Sequence, residues 1–306
     1  MSADQTLDWC TQSVAVRQLT DRAILEVTGD DAATWLQGQV TNQLEGAASG
    51  DAVYGFVLTL KGRVLADVWV LAHDDGFWLE VPAAQVEALI ERLDRYIIME
   101  DVDLAHRGDL RIIAGVGPVA SQVRPGGWPA DRLGSGGRVW VLPEAAEADA
   151  WEEATQAAAS LQGGPATDDG WASAHIQLGR PRFGVDFGED TYPQETGLTA
   201  SAVSFNKGCY IGQETVVMLQ NRGKAPKTLW RWTIDGDEAP EPGATITRGD
   251  AAAGTVTSLT RAGGQTAALG YLKRGHEPTS DGPWKVGGLP ASLVGPVGEA
   301  PTAPAA

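Results

Sequence analysis

Apolar and polar positions along this chain predict most of its elements. Residues 22–29 alternate as a strand, and Asp30 and Asp31 then supply an N-cap for a short helix through Trp35, Leu36 and Val40. Tyr54 to Leu60 and Val64 to Leu71 are β-rich runs joined by Lys61-Gly62-Arg63, a hairpin signal, and Phe77 to Val81 reads as a further strand. From Ala83 to Tyr96 the residues Val86, Leu89, Ile90 and Leu93 form the stripe of an amphipathic helix. A second alternating region follows, with strands Leu110 to Ala114 and Arg138 to Leu142 and helices Ala148 to Ser160 and Trp171 to Arg180. After Lys227 the pattern changes to short strands, Thr228 to Ile234, Ala244 to Thr247, Gly254 to Thr260 and Ala267 to Leu272, split by Gly, Pro and Asp. That change predicts a small β-barrel. Gly295 to Ala306 is rich in Pro and Ala and predicts an unstructured end.

A chain of 306 residues suits about two domains of ordinary size, or three small ones. No apolar run follows Met1 and no stretch approaches the ~18 apolar residues of a membrane span, so a cytoplasmic protein without a membrane partner is expected. Cys10 and Cys209 stand far apart, and reduced thiols are the expectation. The formal net charge of −17 argues against direct nucleic-acid binding. Between Phe205 and Ile234, however, Lys207, Arg222, Lys224, Lys227 and Arg231 face the single acid Glu214. Two readings stand for this window: a local anion site, or a solvated basic helix end.

The densest cluster of chemistry is Asn206-Lys207-Gly208-Cys209-Tyr210-Ile211-Gly212-Gln213-Glu214. Its glycines allow a tight turn, and the helix-compatible run from Gln213 to Leu219 places Cys209 just ahead of a helix N-terminus. Free amides there, together with Lys207, favour a thiolate. The competing reading is a glycine turn in which Cys209 is a small buried hydrophobe.

Two other motifs carry less. Gly115-Val116-Gly117-Pro118-Val119-Ala120 follows a strand and matches a dinucleotide fingerprint, but Pro118 and the run from Pro125 to Pro129 leave no helix to receive a pyrophosphate. A turn is the expectation. His73, His106, His175 and His276 are scattered, so no metal site is expected, and two cysteines cannot supply the ~four thiolates of an iron-sulfur cluster.

Lys207 to Glu214 resembles the signature octapeptide of the YgfZ family, folate-binding proteins related to the glycine cleavage T-protein, an aminomethyltransferase, and implicated in iron-sulfur cluster assembly or repair. Leu36-Gln37-Gly38-Gln39-Val40-Thr41-Asn42, Lys61-Gly62-Arg63 and Gly254-Thr255-Val256-Thr257-Ser258 also look like family segments, in the family's order. The resemblance implies an α+β fold: two ferredoxin-like halves forming a folate-binding region over 1–225, with 51–108 as one ferredoxin-like subdomain inserted in the other, and a C-terminal β-barrel over 226–290. A disordered tail over 291–306 completes the expected layout.

It further implies tetrahydrofolate or a derivative as cofactor, Cys209 and Lys207 as the catalytic pair, and iron-sulfur assembly or client proteins as partners. Glu195, in Pro193-Gln194-Glu195-Thr196-Gly197-Leu198, looks like the T-protein glutamate that holds the pterin ring, although an exposed loop carboxylate is the ordinary alternative. Gln37, Asn42, Gln213 and Arg222 are the further folate contacts expected, with Gln39 as an additional polar candidate; for Gln37, Gln39 and Asn42 the equal alternative is a capping or solvent-facing place on a short helix. One departure bears on activity. T-proteins carry an aspartate shortly after a Val-Asn-Ala segment; here Val81-Pro82-Ala83 stands in its place, followed by Glu87 and Glu91. The expected function is thus a folate-binding auxiliary factor that indirectly supports iron-sulfur enzymes such as tRNA-modifying ones. The alternatives are a tetrahydrofolate-dependent one-carbon transferase or demethylase, and a scaffold that uses folate for stability.

Overall fold

The computed structural model describes residues 3–223, 225–236, 238–276 and 283–298. Its first unit is a five-stranded sheet built on Ala15–Gln18, which pairs antiparallel with Leu110–Val116 and parallel with Gly164–Pro165. Leu110–Val116 continues into an antiparallel hairpin with Gly137–Pro143, edged by Trp128–Pro129. Successive side chains of a strand face opposite ways. Ile113 therefore meets helix Glu147–Ser160, whose Ala150, Ala154 and Ala158 form a small-residue stripe that lets the helix lie close. Ile112 and Ala114 face the other way, against Ile24, Trp69 and Leu71 of the second sheet. The two sheets thus pack face to face. The Gly115 to Ala120 segment leads through the 3-10 turn Ala120–Gln122 into that antiparallel hairpin, with no parallel crossover for a dinucleotide.

The second sheet has the order Ala52–Leu58, Val64–His73, Gly76–Pro82, Arg22–Thr28, Asp103–His106, antiparallel throughout. Without its edge strand Ala52–Leu58 this is the ferredoxin-like order. Helices Ala32–Gln37 and Val86–Asp94 cover its outer face, where Trp35, Leu36, Leu89 and Leu93 meet Leu25, Val27, Leu79 and Val81. The inserted unit spans 22–106, not 51–108, because Arg22–Thr28 is paired on both edges and sits inside the sheet. Helix Ala3–Gln12 and strand Ala15–Gln18 were not legible in the sequence.

The third unit is a closed barrel of six strands: Lys227–Ile234, Gln265–Lys273, Ala251–Ala262, Thr245–Arg248, Trp284–Val286 and Leu289–Pro296. Leu289–Pro296 pairs with Lys227–Ile234 and closes it, so 291–296 is a barrel strand and not the start of a tail. Leu289, Ala291 and Leu293 alternate into the core despite the flanking prolines. Residues 299–306 lie outside the described residues.

Candidate functional site

Where the two sheets meet helix Asp168–Gln177 and the segment that follows it, they enclose a cavity of about 660 Å³. Tyr54, Trp69, Trp171 and Phe183 give it flat apolar walls. Its floor is a charge network placed by strand alternation. Glu80, fully buried, accepts from Arg22 Nε (3.0 Å) and from Arg132, while Asp67 accepts from Arg22 (2.7 Å) and from the Tyr54 hydroxyl (3.2 Å). Burial by itself would raise the pKa of Glu80, but Arg132 and Arg22 outweigh it and hold the carboxyl below its ordinary range. Burial and the neighbouring Asp67 push the Tyr54 phenol well up, so it stays a donor. Two guanidinium groups against two carboxylates leave this floor neutral.

The wall above it is not neutral. Arg180 and Arg182 line the cavity without a carboxylate partner among the described residues, and the buried Arg182 Nε has no acceptor. The Arg180 guanidinium packs on Gly134, where φ is +81° and a Cβ would come within 2.2 Å of it. Asp131, also in the lining, is occupied by the backbone of that turn, at Gly134 N (2.7 Å) and Ser135 N (3.1 Å). His175 is held neutral, with its pKa lowered to about 3 by burial, and Nδ1–H donates to Arg180 O (2.8 Å). The cavity therefore offers aromatic faces, a charge-balanced polar floor and two unpaired cations. A flat polar ring carrying an anionic tail fits that donor set.

The segment from Lys207 to Glu214 is tied to this cavity from outside. Lys207 Nζ donates to the carbonyls of Gln37 (2.7 Å), Val40 (2.8 Å) and Asn42 (2.6 Å), and Asn42 itself lines the cavity. Ile211 N donates to Gly38 O (3.1 Å), and Gln213 Oε1 accepts from Tyr210 N (2.8 Å). Gly212 has φ +83°, and a Cβ there would stand 2.5 Å from Thr59 O. Only glycine lets the turn of Lys61-Gly62-Arg63 lie against the start of helix Gln213–Arg222. Cys209 is exposed on this loop, four residues before the helix, whereas Cys10 is fully buried and its thiol is pushed up to about 12. The buried-hydrophobe reading thus describes Cys10, not Cys209.

The GCVT N-terminal domain matches residues 2–124. Among curated relatives, the tRNA-modifying protein YgfZ of Cronobacter sakazakii is 26% identical over 253 residues, 74% of each chain. That of Aliivibrio fischeri is 25% identical over 274 residues, 84% of each chain. The chain is similar to these YgfZ proteins along most of its length. The aminomethyltransferase T of the glycine cleavage system from Bartonella henselae shares its fold, with a TM-score of 0.81 at 15% identity over 95% of this chain and 88% of that one.

The expected site residues divide sharply. Asn42 reaches the cavity, where its Nδ2 donates to Tyr54 O (2.8 Å) and Ser201 O (2.9 Å). Gln37 is spent on a turn, donating to Gln43 Oε1 (2.7 Å) and accepting from Leu44 N (2.7 Å). Glu195 is buried, accepts from Tyr192 N (2.8 Å) as the cap of a 3-10 turn, and is not among the residues lining the cavity. Gln213 orders the loop, and Arg222 is exposed in the last turn of its helix. Lys207 is a staple whose three N–H groups are all engaged. Lys224 lies outside the described residues.

Glu87 and Glu91 are exposed on helix Val86–Asp94 and stand outside the cavity lining. No cluster of metal-ligating side chains occurs among the described residues. Sequence reasoning missed Arg22, Asp67, Glu80, Arg180 and Arg182. The signal was present: Asp67 and Glu80 interrupt otherwise apolar strands, and two arginines flank a proline in Arg180-Pro181-Arg182.

Proposed function

We propose that this chain binds a reduced folate, tetrahydrofolate or a derivative, in the cavity and serves as an auxiliary factor in iron-sulfur cluster assembly or repair. The observation that carries the reading is the cavity itself, with Arg180 and Arg182 in its wall and no carboxylate paired with either among the described residues. Arg180 and Arg182 would receive the carboxylates of the folate tail, and the aromatic walls its rings. Asp67 keeps lone pairs for ring N–H donors beyond those given to Arg22 and Tyr54. A bound folate supplies a one-carbon carrier; the chain's own residues bind and orient it. The solvent-facing Glu87 and Glu91 favour the auxiliary role over one-carbon transfer.

Cys209 is the reactive group of this reading: an exposed thiol on a loop that Lys207 ties to Asn42 of the cavity, open to a partner protein. The relatives' name as tRNA-modifying proteins fits an indirect effect through iron-sulfur enzymes that modify tRNA. A cytoplasmic location is part of the proposal, and no helix among the described residues is long and apolar enough to cross a membrane. The test is complementation of a strain lacking the gene. Wild type restores iron-sulfur enzyme activity, and Cys209→Ala, shown by melting to be folded, does not. Full rescue by Cys209→Ala would remove the thiol from the account.

A further inference from the structure

A second cavity, of about 440 Å³, lies between the outer wall of the barrel and the 184–191 segment and shares no lining residue with the first. Lys227 and Lys273 both line it and stand directly opposite each other in the antiparallel ladder, so their side chains leave the same face of the wall. Like charges so placed repel. Lys227 Nζ lies 4.3 Å from the Tyr271 ring centre and 3.7 Å from Asp190 Oδ2, beyond hydrogen-bond reach of that exposed carboxylate. The Lys273 side chain has no ion pair among the described residues and is exposed.

Tyr271, two residues before Lys273 on the same face, is only 7% exposed, and its hydroxyl completes no hydrogen bond of good geometry among the described residues. The Thr191 hydroxyl beside it is engaged by Asp190 Oδ1 (3.0 Å) and Gly188 N (3.2 Å). Burial, with Glu195 and Asp186 nearby, pushes the phenol far up, so it remains an O–H donor. Asp186, the other acid of the wall, is taken by Thr257 (2.6 Å), Ser258 (2.6 Å) and Arg182 N (2.9 Å). Gly184 and Gly188 line it with open space where a Cβ would stand. Two opposed cations, only one of them near a carboxylate (the exposed Asp190), a buried phenol beside Thr191 and a saturated acid leave a place for negative charge.

We propose that this cavity is an anion site in which a dianionic oxygen group, a phosphoryl or a pair of carboxylates, bridges Lys227 and Lys273 and accepts from the Tyr271 hydroxyl. The inference is independent of folate binding in the first cavity. It is tested by calorimetry on the full chain at constant ionic strength, with inorganic phosphate and glutarate as separate titrants. At least one binds with Kd below about 1 mM, and Lys273→Met weakens it about ten-fold or more. Heat from phosphate alone assigns a phosphoryl ligand, and heat from glutarate alone a dicarboxylate. In anion-free, low-salt buffer Lys273→Met melts no lower than wild type, because an opposed charge has been removed, and it loses the stabilisation that the binding anion gives. No heat from either anion, unchanged affinity in Lys273→Met, or a drop of several degrees in its anion-free melting would overturn the proposal.

Discussion

Replacing Lys207 by Met separates a staple from a catalyst. Lys207 makes three charge-assisted hydrogen bonds to backbone carbonyls, at 2.6, 2.7 and 2.8 Å. Each is worth roughly 1.5–3 kcal/mol. Burial opposes them, pulling the ammonium pKa from 10.5 to about 8, a cost of at most ~3 kcal/mol that solvent screening of this half-buried group reduces. The balance favours the staple, and Met also leaves the carbonyls of Gln37, Val40 and Asn42 without a donor. A loss of about 2–4 kcal/mol follows, or roughly 3–6 °C in melting temperature for a chain of this length. Lys207→Arg should not rescue it, because a planar fork cannot present three N–H groups as a tripod. The assay is urea unfolding with thiol alkylation of the folded protein in parallel. Loosening the loop leaves Cys209 alkylation unchanged or faster. A stability change within about 0.5 kcal/mol, or markedly slower alkylation at unchanged stability, would refute the staple and restore Lys207 as an electrostatic activator of the thiol.

Two further outcomes follow from burial. Cys209 should alkylate at neutral pH in the native state and Cys10 only on unfolding, since Cys10 is fully buried with its thiol pushed up to about 12; mass spectrometry of each site decides, and equal rates would contradict the placement. His175 sits near pKa 3 in the fold against an ordinary 6.5. Between those values the unfolded chain binds a proton that the folded chain does not, so stability falls as pH drops through the window. The loss is at most ~5 kcal/mol, reduced by solvent reaching the ring from the cavity. His175→Gln should flatten the pH dependence of the urea midpoint between about 6.5 and 4; parallel curves would show that other groups carry it.

The fold was legible where the buried face of an element is marked by an apolar pattern. Val86, Leu89 and Leu93 announced their helix, and the change of period after Lys227 announced the barrel. Helix Ala3–Gln12 escaped because its buried positions include the polar Thr6 beside Cys10, and the closing strand Leu289–Pro296 escaped because Pro290 and Pro296 mask its alternation. The motif around Cys209 was visible as a cluster, but its purpose was not. Lys207 reaches carbonyls some 165–170 positions away, and no local pattern predicts such partners. Glu195 looked like a ligand residue by its resemblance to the T-protein segment, and its carboxylate caps its own turn. Asp67 and Glu80 were readable only as charges in apolar strands. Their pairing with Arg22 and Arg132 needs the two sheets to be packed.

Calorimetric titration of the full chain with tetrahydrofolate tests the central claim most directly, with Arg182→Met, Glu195→Gln and wild type compared and melting measured for each. Wild type should bind with micromolar Kd, about −8 kcal/mol. Arg182→Met, which removes an unpaired cation from the cavity wall, should weaken binding about 10- to 150-fold, or roughly 1.5–3 kcal/mol. Glu195→Gln, outside the lining, should bind within about three-fold of wild type once folded. No heat in wild type, or loss of binding in folded Glu195→Gln with Arg182→Met unaffected, would contradict the cavity as the folate site.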